Sequence, residues 1–309
     1  AVGATMLFLL LVILPVGGSF LITNIRLRFL ESGATHPEIL GLTVESVEFT
    51  SADGIPLKGW WQRGKEDRPN LIFAHGLNRS RLELLGRAVA SVEHGYGVLL
   101  FDLRNHGESG EAYTTLGIHE SRDICAAKDF LEARSENQRV ALWGVSLGAA
   151  SALLATRMCP GVEAVIADSS FLSFSETISD HFRLILGLPS FPIANLMTGL
   201  TRLRMGFALA EGDVELAVRE NPSLPILFIA GDQDRRMPPN VARQLYKASA
   251  SPHSSLLIVE GAQHGRAYRV NPKRYLDTVF NFLEKLDPVS DSNPSRINTS
   301  ERLPAPVSP

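Results

Sequence analysis

The chain has 309 residues, 45% of them hydrophobic and 20% charged, with a formal net charge of −3. That length exceeds a small domain and suits one large α/β domain with appendages. With no basic stripe and no base-stacking module, nothing points to a nucleic-acid partner.

The first 25 residues carry no charge, and "MLFLLLVILPVGGSFLITNI" is long enough to cross a bilayer, which takes about 20 residues. Arg26 and Arg28 follow. The first expectation is a retained membrane anchor over 1–29, and the second is an export signal; the side of the membrane is left open. "VESVEFTSADGIPLKGWW" reads as two strands joined at the turn-forming Asp53-Gly54. "NLIFAH" is a short buried strand followed by the helical "RLELLGRAVASVEH", and "GVLLFDLRNHGES" is a strand running into a polar loop. "ESRDICAAKDFLEAR" has helical spacing. "RVALW", "VEAVIADSS", "PILFIAGDQD" and "SSLLIVEGAQH" are further strands, with helices at "NVARQLYKAS" and "PKRYLDTVFNFLEKL". Continuous apolar strands separated by helices predict a mostly parallel sheet covered on both faces. Residues 171–221 break the rhythm with aromatics and prolines and predict a small helical lid. The catalytic domain is expected over 40–287. The last stretch, 288–309, is rich in Pro, Ser and Asn and reads as a disordered tail, in which Asn298-Thr299-Ser300 matches a glycosylation sequon. Cys125 and Cys159 lie in helical patterns without CxxC spacing and read as two buried thiols.

The chemistry centres on Gly144-Val145-Ser146-Leu147-Gly148, between a buried strand and the helical "AASALLA". A nucleophile raised on a sharp strand-to-helix turn needs small neighbours two residues before and after it. A serine hydroxyl also needs a base and a group to orient that base. His264, in the loop after the last strand and between Gly261 and Gly265, fits the order Ser, Asp, His. His106, in "RNHGES", reads as a structural histidine. The loop after "PILFIAG" offers two acids, Asp232 and Asp234.

Together, "SADGIPLKGWW", "HGLNRSR", "FDLRNHGES", "WGVSLGAA", "ADSSF", "GDQD..MPP" and "GAQHG" resemble the α/β-hydrolase fold serine hydrolases, bacterial carboxylesterase-like members among them, over roughly residues 44–286. The resemblance implies the α/β-hydrolase fold. It implies an oxyanion loop oriented by His75, with the backbone N–H groups of Leu77 and Leu147 as donors. Leu77-Asn78 departs from the HGGG of one lipase and esterase branch. Asp234, three residues after Gly231, matches the family's acid, while Asp232 directly follows a strand and has little reach. The expected activity is hydrolysis of short to medium acyl esters by Ser146, Asp234 and His264, with Phe171, Phe174 and Phe182 of the lid binding substrate. No metal or organic cofactor is expected, and the partner is a small ester. A serine peptidase or acyl-thioester hydrolase is the alternative, since the same triad serves amides and thioesters.

Overall fold

The computed structural model describes residues 2–24, 37–134 and 139–286. Arg26, Arg28, the sequon and the expected tail over 288–309 lie outside the described residues.

The alternating pattern folds into one eight-stranded sheet: β1 (Glu45–Thr50), β2 (Pro56–Gln62), β3 (Asn70–Ala74), β4 (Gly97–Phe101), β5 (Val140–Val145), β6 (Val162–Asp168), β7 (Ile226–Gly231) and β8 (Ser255–Val259). Their order is β1-β2-β4-β3-β5-β6-β7-β8. β1 with β2 and β2 with β4 are antiparallel, and every other pairing is parallel. The two strands around Asp53-Gly54 therefore form the antiparallel edge.

Two helical segments, α1 (Val2–Phe8) and α2 (Leu14–Asn24), are joined by a π-helical stretch, Leu9–Ile13. The helices of the α/β domain are α3 (Leu85–Glu93), α4 (Glu120–Arg134) and α5 (Leu147–Ala155); after β6 come α6 (Phe174–Leu186), α7 (Ile193–Met205) and α8 (Val214–Glu220). α9 (Pro239–Ala248), α10 (Ala267–Val270) and α11 (Pro272–Glu284) complete the chain order.

Successive strand side chains point to opposite faces, so each central strand feeds two cores. Ile72, Leu142 and Val165 pack with α4, α5, α8 and α9 on one face. Leu71, Phe73 and Trp143 pack with α3 and α11 on the other. That double burial explains why the central strands read as unbroken apolar runs.

Of the lid expected over 171–221, only part forms a core separate from the main one. α6 and α7 form a separate small core with Phe174, Phe182 and Met197. α8, inside the expected 171–221, instead puts Val214, Ala217 and Val218 into the main core, because these three share one helical face.

Cys125 and Cys159 form a disulfide, which corrects the reading of two thiols. They are 34 residues apart in sequence, yet the packing of α4 beside α5 brings their Cα atoms to 5.6 Å, within bridging range. Nothing in their local spacing carries that information.

The N-terminal segment joins no strand, but it is docked. α2 lies against α7: the Thr201 hydroxyl donates to Ser19 Oγ at 3.0 Å, and Arg204 donates to the same oxygen at 2.8 Å. The amide of Thr114 donates to the carbonyl of Thr23 at 3.0 Å, tying the end of α2 to a loop of the main domain. Pro15, Ser19 and Thr23 form its buried stripe, at the spacing of one helical face.

Candidate active site

Ser146 stands alone between β5 and α5, at φ 53° and ψ −111°. Positive φ is uncommon for a residue with a side chain and marks local strain. Its amide donates to the Asp168 carbonyl of the neighbouring strand at 2.8 Å. The flanking glycines are required by contact. A Cβ at Gly144 would lie 2.3 Å from the Gly148 carbonyl group, and one at Gly148 would lie 2.0 Å from the Ala74 oxygen. Two backbones cross there with no room for a methyl group.

The loop after β8 carries His264 back to this turn. Its Nε2 lies 2.8 Å from Ser146 Oγ, and its Nδ1 lies 2.8 Å from Asp234 Oδ2. Asp234 is buried in the loop after β7. Its other oxygen accepts the amides of Arg236 and Met237, each at 2.9 Å. The carboxylate is therefore aimed, with one oxygen held by backbone and one left for the imidazole. Asp232 does something else: it accepts the Gly261 amide at 2.7 Å and ties the loop after β8 to the end of β7. Pro238 precedes the helix, and Pro239 is its first residue.

A second layer of support was not foreseen. Asp168, at the end of β6, has no solvent exposure. It accepts the Ser169 hydroxyl at 2.9 Å and the Tyr275 hydroxyl at 3.0 Å, with the Arg87 guanidinium 3.7 Å away. Burial raises its carboxyl above the usual range, and Arg87 opposes this. Ser169 Oγ in turn accepts the amide of Gly265, next to His264, at 3.1 Å. An aspartate closing the buried apolar run Ala164–Ala167 was the available signal.

On the other side of Ser146, His75 is fully buried. Its Nδ1 donates to the Gly76 carbonyl at 2.8 Å and its Nε2 accepts the Leu103 amide at 3.0 Å. His106 uses Nδ1 on the Arg104 carbonyl and accepts the Asn78 amide at 3.1 Å. Arg104 is gripped by Asp123 and Asp53, which fixes the loop carrying His106. Glu83 accepts the Gly76 amide at 2.7 Å. Burial raises the Glu83 carboxyl above its usual range. Thus the amides on either side of Leu77 are engaged. Those of Leu77 and Leu147 donate to no protein acceptor among the described residues.

Burial, then the neighbouring His106, lowers His75 to about 3. A histidine buried neutral makes the unfolded chain bind more protons between pH 6.5 and 3, so stability falls as pH drops through that window. Relative to His75→Asn, which cannot protonate, the native chain is expected to lose up to about 1.4 kcal/mol per pH unit below 6.5. Urea unfolding of both proteins at pH 7 and pH 5 measures it, and equal losses would assign the pH dependence to other groups.

A cavity of about 630 Å³ opens over Ser146 and His264, with Leu77 and Leu147 in its wall. That volume suits a drug-sized ligand. Phe171 and Phe182 line it. Phe174 does not: it packs edge-on to Phe207, with ring centroids 5.1 Å apart, inside the small core of α6 and α7. It starts α6, about 12 Å along the helix axis from Phe182, where Ile118 and Gly212 cover it. His181, Met197 and Arg236 also line the cavity, as do Leu14, Gly18 and Ile22 of α2.

Several known proteins are similar to this chain. YqkD of Bacillus subtilis is 30% identical over 241 residues, covering 77% of this chain and 78% of YqkD. A thiohydrolase of Aspergillus aculeatus, aneE, is 31% identical over 146 residues, 41% of this chain and 44% of its own length. The solved structure of the Pyrococcus furiosus esterase Pf2001 superposes with a TM-score of 0.70 at 25% identity, covering 83% of this chain and 96% of that esterase. A family model matches residues 71–278, which hold the strands from β3 to β8 and the Ser146–His264–Asp234 chain. With its eight-stranded, mostly parallel sheet flanked by helices, this chain belongs to the alpha/beta hydrolase family.

Proposed function

We propose that this protein is a serine carboxylic-ester hydrolase, held to a membrane by its N-terminal helix. The observation that carries the reading is the continuous hydrogen-bonded chain from Ser146 Oγ through His264 to Asp234, at the floor of an open cavity. His264 takes the Ser146 proton as Oγ attacks the ester carbonyl carbon. Asp234 holds the imidazole tautomer and stabilises the imidazolium. The two unengaged amides, Leu77 and Leu147, receive the developing oxyanion; a peptide N–H needs nothing from the leucine side chains. The C–O bond then breaks, the alcohol leaves with the proton from His264, and water repeats the steps to free the acid. His75, neutral and internal, holds the oxyanion loop and is not the base. Labelling by a fluorophosphonate that maps to Ser146, together with turnover of p-nitrophenyl butyrate, tests the reading; an unlabelled serine and an inert ester overturn it.

An acyl-thioester substrate is the second reading, favoured by the partial match to a thiohydrolase. Comparing an acyl-CoA with the oxygen ester of the same acyl chain separates the two.

The disulfide supports exposure of the hydrolase on the exported side, because such bonds persist in oxidising compartments.

Phe182 and Phe174 give contrasting expectations. Phe182→Ala enlarges the cavity and shifts the ratio of kcat/KM for octanoate over butyrate by about tenfold, as a few pocket methylenes would. Phe174→Ala leaves that ratio alone and lowers stability by about 3–5 kcal/mol. A chain-length series with thermal melts distinguishes them.

A further inference from the structure

Most of the exposed large apolar side chains among the described residues lie in two segments. One is the N-terminal helix, where Met6, Leu7 and Phe8 are each more than half exposed. The other is the lid, where Ile185 is 72% exposed, Phe191 76% and Leu203 80%. The remainder, such as Met158 and Val270, are scattered. Between Arg183 and Arg202 the chain has no charged residue at all. Single exposed apolar residues are ordinary on a soluble protein, but a concentration of them marks an interaction surface. Because α2 is docked on α7, these two apolar segments adjoin.

The same two segments wall the catalytic cavity. Leu14, Gly18, Leu21 and Ile22 come from the N-terminal helix, and Ile185 and Leu186 from the lid. Ile185 and Leu21 are lining residues that are also largely exposed, at 72% and 63%. The cavity wall and the outward apolar face are therefore one continuous surface. An N-terminal helix with Thr5–Asn24 long and apolar enough to cross a bilayer brings that surface to the lipid. A tether serving only to hold the enzyme near a membrane would not need to contribute three side chains, those of Leu14, Leu21 and Ile22, to the substrate cavity.

We propose that the lid and the N-terminal helix seat together in one lipid leaflet, and that the cavity takes long-chain acyl esters directly from it. This rests on the ester-hydrolase reading and extends its acyl range beyond short and medium chains. The helix is then part of the substrate site, and the acyl chain passes from lipid to Ser146 along α2 and α6 without crossing water. The reaction is unchanged: water is consumed, and a fatty acid and an alcohol are released.

The test uses the full chain in phosphatidylcholine vesicles carrying a dilute fluorogenic long-chain carboxylic ester, with p-nitrophenyl acetate as the soluble reference. Phe191 and Leu203 face outward and do not line the cavity. The double variant Phe191→Glu/Leu203→Glu is expected to hydrolyse acetate normally and to lose at least about tenfold on the vesicle ester, since a carboxylate is expelled from lipid. Ile22→Trp, which narrows the cavity from the helix side, is expected to lower the ratio of long-chain to acetate turnover by about tenfold. Independently of activity, Phe191→Trp in vesicles of brominated phosphatidylcholine is expected to show quenched emission relative to the native chain. An unquenched Phe191→Trp, or vesicle turnover within twofold of the native rate in both other variants while acetate is hydrolysed, overturns the proposal alone. A double variant that converts a dimer to a monomer with vesicle turnover unchanged also overturns it, and makes the face an interface between copies. A native chain that hydrolyses acetate but not the vesicle ester also overturns the proposal alone, whereas one that hydrolyses neither removes the ester-hydrolase reading, and the substrate assignment with it.

Discussion

Ser146→Ala is expected to leave the fold intact and to lower kcat on p-nitrophenyl butyrate by roughly three to six orders of magnitude. The change removes Oγ, the atom 2.8 Å from His264 Nε2. It leaves the backbone elbow, since Gly144 and Gly148 still allow the close crossing with Ala74. The strained φ of 53° is retained by the surrounding contacts, among them the bond from the residue-146 amide to the Asp168 carbonyl. Residual turnover above the uncatalysed rate is expected, because the Leu77 and Leu147 amides and the cavity still bind the ester as it reacts. Stopped-assay kcat with circular dichroism on the same sample measures both halves. A variant that is folded and keeps a tenth of native activity would assign the nucleophile to another residue.

Asp234→Asn is expected to cost about 10⁴ in kcat, the loss that accompanies a wrong imidazole tautomer in triads of this type. The geometry explains why so small a change is severe. Oδ1 of Asp234 is committed to the amides of Arg236 and Met237, so its amide replacement turns an NH₂ group toward His264 Nδ1. The imidazole must then present an acceptor at Nδ1 and a proton at Nε2, where the serine proton has to go. Asp232→Asn keeps an oxygen able to accept the Gly261 amide. Its expected effect is about 1 kcal/mol of stability, the scale of one weakened hydrogen bond, with kcat little changed. Comparison of kcat for the two variants on one soluble ester decides between them. If the Asp232 variant is the inactive one, the two roles are exchanged.

The fold and the sharp turn at Ser146 were legible because their requirements are local. A parallel strand buried on both faces must be apolar throughout, so "NLIFA" and "VALWGV" declare themselves in a few residues. The turn at Ser146 needs glycine two residues to either side because the backbone crosses itself there, and that constraint is written within five positions. The position of His264 beside Ser146 was legible for a related reason: the loop after a parallel strand opens at that edge of the sheet. The choice between Asp232 and Asp234 could only be argued from reach and resemblance, for both sit in one short loop. Which carboxylate meets the imidazole depends on how the loops after β7 and β8 approach each other. The Cys125–Cys159 bond, the burial of Phe174 and the return of α8 to the main core were decided the same way, by contacts between segments distant in sequence. The N-terminal helix shows the division most clearly. Its composition determined that it is apolar and long enough to span a bilayer, since hydrophobicity is a property of each residue in turn. That it also lies on the lid and walls the cavity above Ser146 was decided by tertiary structure alone, because packing depends on the surface opposite, and that surface is contributed by residues nearly two hundred positions away.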